Sequence, residues 1–177
     1  MTPWVALLRG VNVGGITIRS ADLAEVFREL GFTAVRTVLA SGNVTFETDA
    51  APARRAALKE RIEEALRTRF GYDAWILLIT HDELARAIEG FPFDGTDTAR
   101  QPWVVFCVDD STRDELMEAA ASFDTSVDPI ASAPTVVYWN PAKGSSTDTP
   151  FAKVLAKRTF TPRTTNRNLR TLIKILG

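Results

Sequence analysis

Two runs, Trp4–Leu8 (WVALL) and Trp75–Ile79 (WILLI), contain no polar residue at any position. A β-strand with one face in water alternates apolar and polar side chains, so runs like these belong to strands covered on both faces. Any fold for this chain must supply that cover. The 177 residues, 45% of them hydrophobic, are enough to do so as one domain or as two small packed halves.

The segments around these runs suggest an order. Residues 3–9 read as a strand and residues 20–30 as an amphipathic helix, with Ser20 as N-cap, Asp22 in the first turn and Gly31 as the stop. Val35–Leu39 and Val44–Phe46 form a hairpin around Ser41-Gly42. Pro52 opens a long helix to about Phe70 with Leu58, Ile62, Ala65 and Leu66 as its apolar stripe, and WILLI is the fourth strand. With right-handed crossovers, βαββαβ predicts a ferredoxin-like layer: four antiparallel strands with two helices on one face.

Similar grammar continues. Thr80 and Glu83 make a capping box for a helix ending at Gly90, and Trp103–Val108 reads as a strand. A helix from about Thr112 to Ser122, a weaker strand near Val127–Ile130, the strand Thr135–Trp139 and two C-terminal helices complete a βαββα half. The expected fold is α+β: a ferredoxin-like half, residues 1–90, packed on a second half, residues 91–177, as one compact unit.

No apolar run approaches the roughly 20 residues that span a bilayer, and the start MTPWVALLRG lacks the pattern of a secretory signal. A cytoplasmic protein without membrane partners is expected. The single Cys107 excludes an intramolecular disulfide, the single His81 removes most triad and zinc-site options, and no motif calls for a cofactor. The net charge of -1 hides an asymmetry. Residues 81–128 hold twelve acidic and three basic side chains, whereas residues 151–177 hold seven basic and none acidic. The tail either packs against the acidic middle or binds anions.

Two polar, glycine-bearing loops carry the most chemistry. In the βαββαβ arrangement the first strand runs antiparallel to the third, which brings Arg9, Gly10 and Asn12 beside the hairpin tip Ser41-Gly42-Asn43. Glycines allow close backbone approach, successive N–H groups can form an anion nest, and Arg9 offers a forked cation. Turn chemistry alone also explains such residues, and the spacing fits neither common nucleotide-binding pattern. In the tail, Thr165 or Asn166 can cap a last helix with Arg163, Arg167 and Asn168 near its N-terminus, a second place for an anion.

The segments LLRGVNVGG, ASGNVTF and TTNRNLRTLIKIL resemble the three marker regions of an uncharacterised bacterial family, domain of unknown function 1697. Carried over by position, its markers fall on Arg9, Gly10, Asn12, Gly14, Gly15, Ser41, Gly42, Asn43, Arg167, Asn168 and Thr171. The chain departs from the family pattern at Ile16-Thr17, Thr149-Pro150-Phe151 and Leu169-Arg170, so roles resting on the lysines usual at the first two places do not transfer. The resemblance implies an α+β fold and no particular reaction.

Three readings follow. A small anionic, phosphate-bearing ligand is held by Arg9, Asn12, Gly14, Gly15, Ser41 and Asn43, with Arg167 and Asn168 as further candidates. Alternatively, the basic tail binds nucleic acid and a half-exposed Trp139 stacks a base. In a third reading the markers serve turns, capping and protein contacts. No histidine or carboxylate falls near the glycine loops to act as a base, so no catalytic residue is assigned. His81 reads as a solvated first helical residue, Cys107 as a buried hydrophobe, and Asp109 as a helix cap before it is a metal ligand.

Overall fold

The structure is a computed structural model that describes residues 1–12, 16–40 and 42–177. The chain forms two compact units, Met1–Ala85 with Lys174–Gly177, and Arg86–Ile173. Their described residues hold two four-stranded antiparallel sheets and six α-helices.

In the first unit the elements are β1 (Thr2–Leu8), α1 (Ser20–Glu29), β2 (Thr33–Thr37), β3 (Asn43–Thr48), a 3-10 turn at Pro52–Arg54 that runs into α2 (Arg55–Phe70), and β4 (Ile76–Thr80). The strand order is β2-β3-β1-β4. Trp4, Ala6, Leu8, Val44, Phe46, Ile76 and Leu78 share a core cluster with Leu23, Val26 and Phe27 of α1 and Leu58, Ile62 and Leu66 of α2. Each buried Val, Leu, Ile or Phe among them contributes about 1.5–3 kcal/mol by leaving water. The alternate residues Val5, Leu7, Leu77 and Ile79 point to the other face and are buried too, which is why both runs lack polar positions.

Local chemistry sets the ends of these elements. Gly71, in the left-handed region at φ 65, caps α2. Ser20 is the first residue of α1 and not its cap; Arg19 holds the cap position, without a capping side-chain bond. Glu63 is buried, yet both its oxygens accept from Lys59 Nζ at 2.9 Å and one accepts from Ile76 N at 3.0 Å, which fixes the start of β4.

α3 (His81–Glu89) begins in the first unit and ends in the second. Its capping box is formed: Thr80 N donates to Glu83 Oε2 at 2.8 Å and Glu83 N to Thr80 Oγ1 at 3.2 Å.

The second unit contains β5 (Trp103–Cys107), α4 (Asp110–Ala119), β6 (Ile130–Ala133), β7 (Val136–Trp139), α5 (Pro150–Leu155) and β8 (Thr164–Asn168), followed by α6 (Leu169–Leu176). Its strand order, β6-β7-β5-β8, repeats that of the first sheet. Val105, Cys107, Val137 and Trp139 pack with Leu116 and Ala120 at α4 and Phe151, Ala152 and Val154 of α5.

Two sequence expectations are corrected here. The second unit is βαββαβ rather than βαββα, because TTNRN pairs with β5 from Cys107↔Thr164 to Trp103↔Asn168. An edge strand takes its stability from backbone hydrogen bonds and needs no apolar signature; Thr164, Thr165 and Arg167 are buried all the same. The weak strand begins at Ile130, while Val127 lies 43% exposed in a turn that Asp124 closes through Ser126 N.

Candidate functional site

The antiparallel pairing of β1 with β3 sets Leu7 opposite Asn43, and Leu8 N donates to Gly42 O at 2.8 Å. The β1–α1 loop and the β2–β3 hairpin therefore meet. Gly42 sits at φ 77, where an added Cβ would lie 2.9 Å from Leu8 Cβ, so no other residue fits without displacement. Val11 and Ile18 anchor the loop by joining the first core cluster.

Asn12 and Asn43 are part of the framework. Asn12 adopts φ 59; its Oδ1 accepts from Ile18 N at 2.9 Å, and its Nδ2 donates to Ile18 O at 3.2 Å and across to Ala40 O. Asn43 is fully buried and its Nδ2 donates to Val38 O at 2.9 Å, while Val38 N donates to Asn43 O at 2.9 Å. The amides the sequence offers to a ligand thus hold the two loops in shape. Gly14, Gly15 and Ser41 lie outside the described residues.

Arg9 follows β1 directly, half-buried, its backbone N–H donating to Trp75 O at 3.1 Å. Burial lowers the pKa of its guanidinium, the mark of a cation held partly out of water. Leu39, expected from the sequence to end a strand, lies beyond β2, which stops at Thr37. It is 50% exposed with φ 59, a conformation uncommon for any side chain but glycine and costly for a bulky one. No sequence signal announces it, since Leu has no turn preference.

The tail is built differently from the expectation. Arg167 is buried in β8 with Nη1 donating to Thr165 Oγ1 at 2.7 Å and to Asn166 O at 3.0 Å. Asn168 Oδ1 accepts from Arg170 N at 2.9 Å at the start of α6. The helix therefore begins at Leu169, directly after Asn168, while Arg167 belongs to β8 and Arg163, paired with Glu115 at 2.7 Å, to the turn before it. Trp139 is 1% exposed and donates Nε1 to the buried Asp128 at 2.8 Å, so it offers no stacking face.

The remaining candidates have local roles. His81 Nε2 lies 3.1 Å from Leu176 O. Cys107 is buried, and burial, opposed by the nearby Arg113 charge, pushes its thiol up to about 12. Asp109 caps α4 by accepting from Thr112 N and Oγ1 at 2.7 Å, and these hydrogen bonds hold its carboxyl below the usual range.

A mixed α+β chain with two four-stranded antiparallel sheets is the class this architecture defines. Over residues 1–138 the sequence matches the family described as "Protein of unknown function (DUF1697)", and the chain belongs to that family. Arg167, Asn168 and Thr171 lie beyond the matched residues. Among solved structures, conserved bacterial protein SP0830 from Streptococcus pneumoniae has a TM-score of 0.81 at 22% identity, over 99% of this chain and 97% of that one. At this identity the likeness speaks for the fold alone. None of the curated proteins matches the chain. No helix among the described residues is long and apolar enough to cross a membrane.

Proposed function

We propose that the first unit, a ferredoxin-like fold, binds a small anionic, phosphate-bearing ligand where the β1–α1 loop meets the β2–β3 hairpin. Arg9 supplies the charge, the glycine-bearing backbone supplies the shape, and Asn12 and Asn43 hold that shape. What supports this reading is the clustering of left-handed residues in the two loops: Gly10, Asn12, Leu39 and Gly42 all have φ between 59 and 77. Backbone strain of this kind, about 1–3 kcal/mol for a residue such as Leu39, persists only where the surrounding structure holds it and clusters at ligand sites.

The test is a thermal-shift series on the full chain with inorganic phosphate, nucleotides, sugar phosphates and short oligonucleotides at two salt concentrations. A compact anion at 100 times its dissociation constant raises Tm by roughly 5–10 °C, and Arg9→Gln removes that rise. The proposal fails if no small anion shifts Tm or if the shift survives in Arg9→Gln. A response confined to oligonucleotides and falling steeply with salt would instead favour contacts by exposed tail residues such as Lys153, Lys157 and Arg170.

A further inference from the structure

Beyond the loops, the first unit has a second opening. A cleft of about 380 Å³ is lined by Pro3, Arg36, Thr45, Glu47 and His81, with Ile175 and Leu176 forming a wall. By strand alternation Pro3, Thr45 and Glu47 face away from the core cluster that contains Trp4, Val44 and Phe46. The volume is at the lower end of the range for small-molecule sites, roughly 300–1,000 Å³.

Its charges are separated. Arg36 pairs with Thr45 across β2 and β3, and Glu47 lies two residues further along β3, opposite Thr33 and beyond a shift in the register. The two form no ion pair. Arg36 Nη2 instead donates to Ile175 O at 2.9 Å, and His81 lies against Leu176 O. Among the described residues no hydrogen bond or ion pair engages the half-buried Glu47 carboxylate. The carbonyl end of α6, the negative end of its dipole, closes the same cleft.

We infer that this cleft binds a small zwitterion of the α-amino-acid class, with its ammonium group on Glu47 and its carboxylate on the guanidinium of Arg36. A partly desolvated carboxylate gains most from a cation that also donates hydrogen bonds, and an ammonium supplies three donors. A guanidinium already fixed through one nitrogen still presents donors to a carboxylate. Neither a simple anion nor a simple cation satisfies both sides of the cleft. His81 and Arg36 also position the α6 wall by holding its last carbonyls.

The experiment is a thermal-shift and calorimetric titration of the full chain with a panel of L-α-amino acids at millimolar concentration, each with its N-acetyl and amide derivative. At least one free amino acid raises Tm by several degrees, and both derivatives lose most of the effect. Glu47→Gln abolishes the shift while leaving the Tm of the free protein nearly unchanged, and Arg9→Gln leaves the shift intact, which separates this site from the loop site. The inference is overturned if no amino acid binds, if an N-acetyl derivative binds as well as its parent, or if binding survives in Glu47→Gln. The derivative comparison uses the unaltered chain, so it decides the matter even if a variant folds poorly.

Discussion

The two units solve one geometric problem in different ways. In each, the end of the first strand donates to the tip of the hairpin beside it: Leu8 N to Gly42 O and Cys107 N to Thr135 O, both at 2.8 Å. Each tip has a left-handed residue, Gly42 at φ 77 and Thr135 at φ 59. The second unit reaches its first helix through residues 108–109 and turns its hairpin with residues 134–135. Asp110 ties the corner together by accepting from Thr135 N at 2.8 Å. The first unit uses residues 9–19 and 38–42 for the same two connections. Short connections are therefore sufficient for this strand order, and the longer pair in the first unit is where the proposed ligand site lies. The detour is anchored by Val11 and Ile18 in the core and by Asn12 through Ile18 N.

The largest expected effect tests whether the first corner tolerates a side chain. Gly42→Ala combines a left-handed penalty with overlap against Leu8, and we expect a loss of about 3 kcal/mol. Chemical denaturation measures it; a loss near zero would mean the tip can move away from β1. Next, Asn43→Ala removes a buried donor from Val38 O and should cost about 1–3 kcal/mol, read as a fall in Tm of several degrees. An unchanged Tm would return Asn43 to the ligand contacts expected from the sequence.

A matched pair of substitutions addresses the comparison most directly. Leu39→Gly and Thr135→Gly each relieve a left-handed residue, and each should change stability by less than about 1 kcal/mol once the added freedom of the unfolded chain is counted. Only Leu39→Gly should weaken anion binding in the thermal-shift series; equal loss in both would erase the distinction between the corners. The smallest effect should appear in acid. Burial tends to raise the Glu83 carboxyl, but hydrogen bonds from Arg55 and Thr80 and the Arg55 charge outweigh it and hold the carboxyl below its usual value. Such a group adds stability above its unfolded pKa and loses it as pH falls through the lower folded value. Urea midpoints between pH 7 and pH 3 should fall less steeply in Glu83→Gln than in the parent chain.

Wherever apolar periodicity carries the signal, the fold is legible in the sequence. WVALL and WILLI mark β1 and β4, Leu58, Ile62 and Leu66 face the core, and the Thr80–Glu83 box is formed. β8 escaped because TTNRN imitates a helix start: polar residues ahead of an apolar stripe satisfy the capping rule, while the ladder to β5 is a long-range pairing. Trp139 was misread because the partner of its indole, Asp128, is separated from it by a turn and a strand. At the candidate site the meeting of the two loops follows from topology. The roles of Asn12 and Asn43 do not, since an asparagine that ties backbone to backbone and one that meets a ligand use the same atoms.

The Asn12 amide also gives the site a built-in reporter. Ile18 N–H lies outside any helix or strand, yet it is bonded to Asn12 Oδ1, while Nδ2 of the same side chain reaches Ala40, 28 residues away. Exchange of the Ile18 amide with solvent deuterium therefore requires Asn12 to leave its turn, which puts the link to the hairpin at risk in the same motion. Its protection factor reports the joint opening of both loops, and an anion that clamps either should slow this one amide ahead of its neighbours.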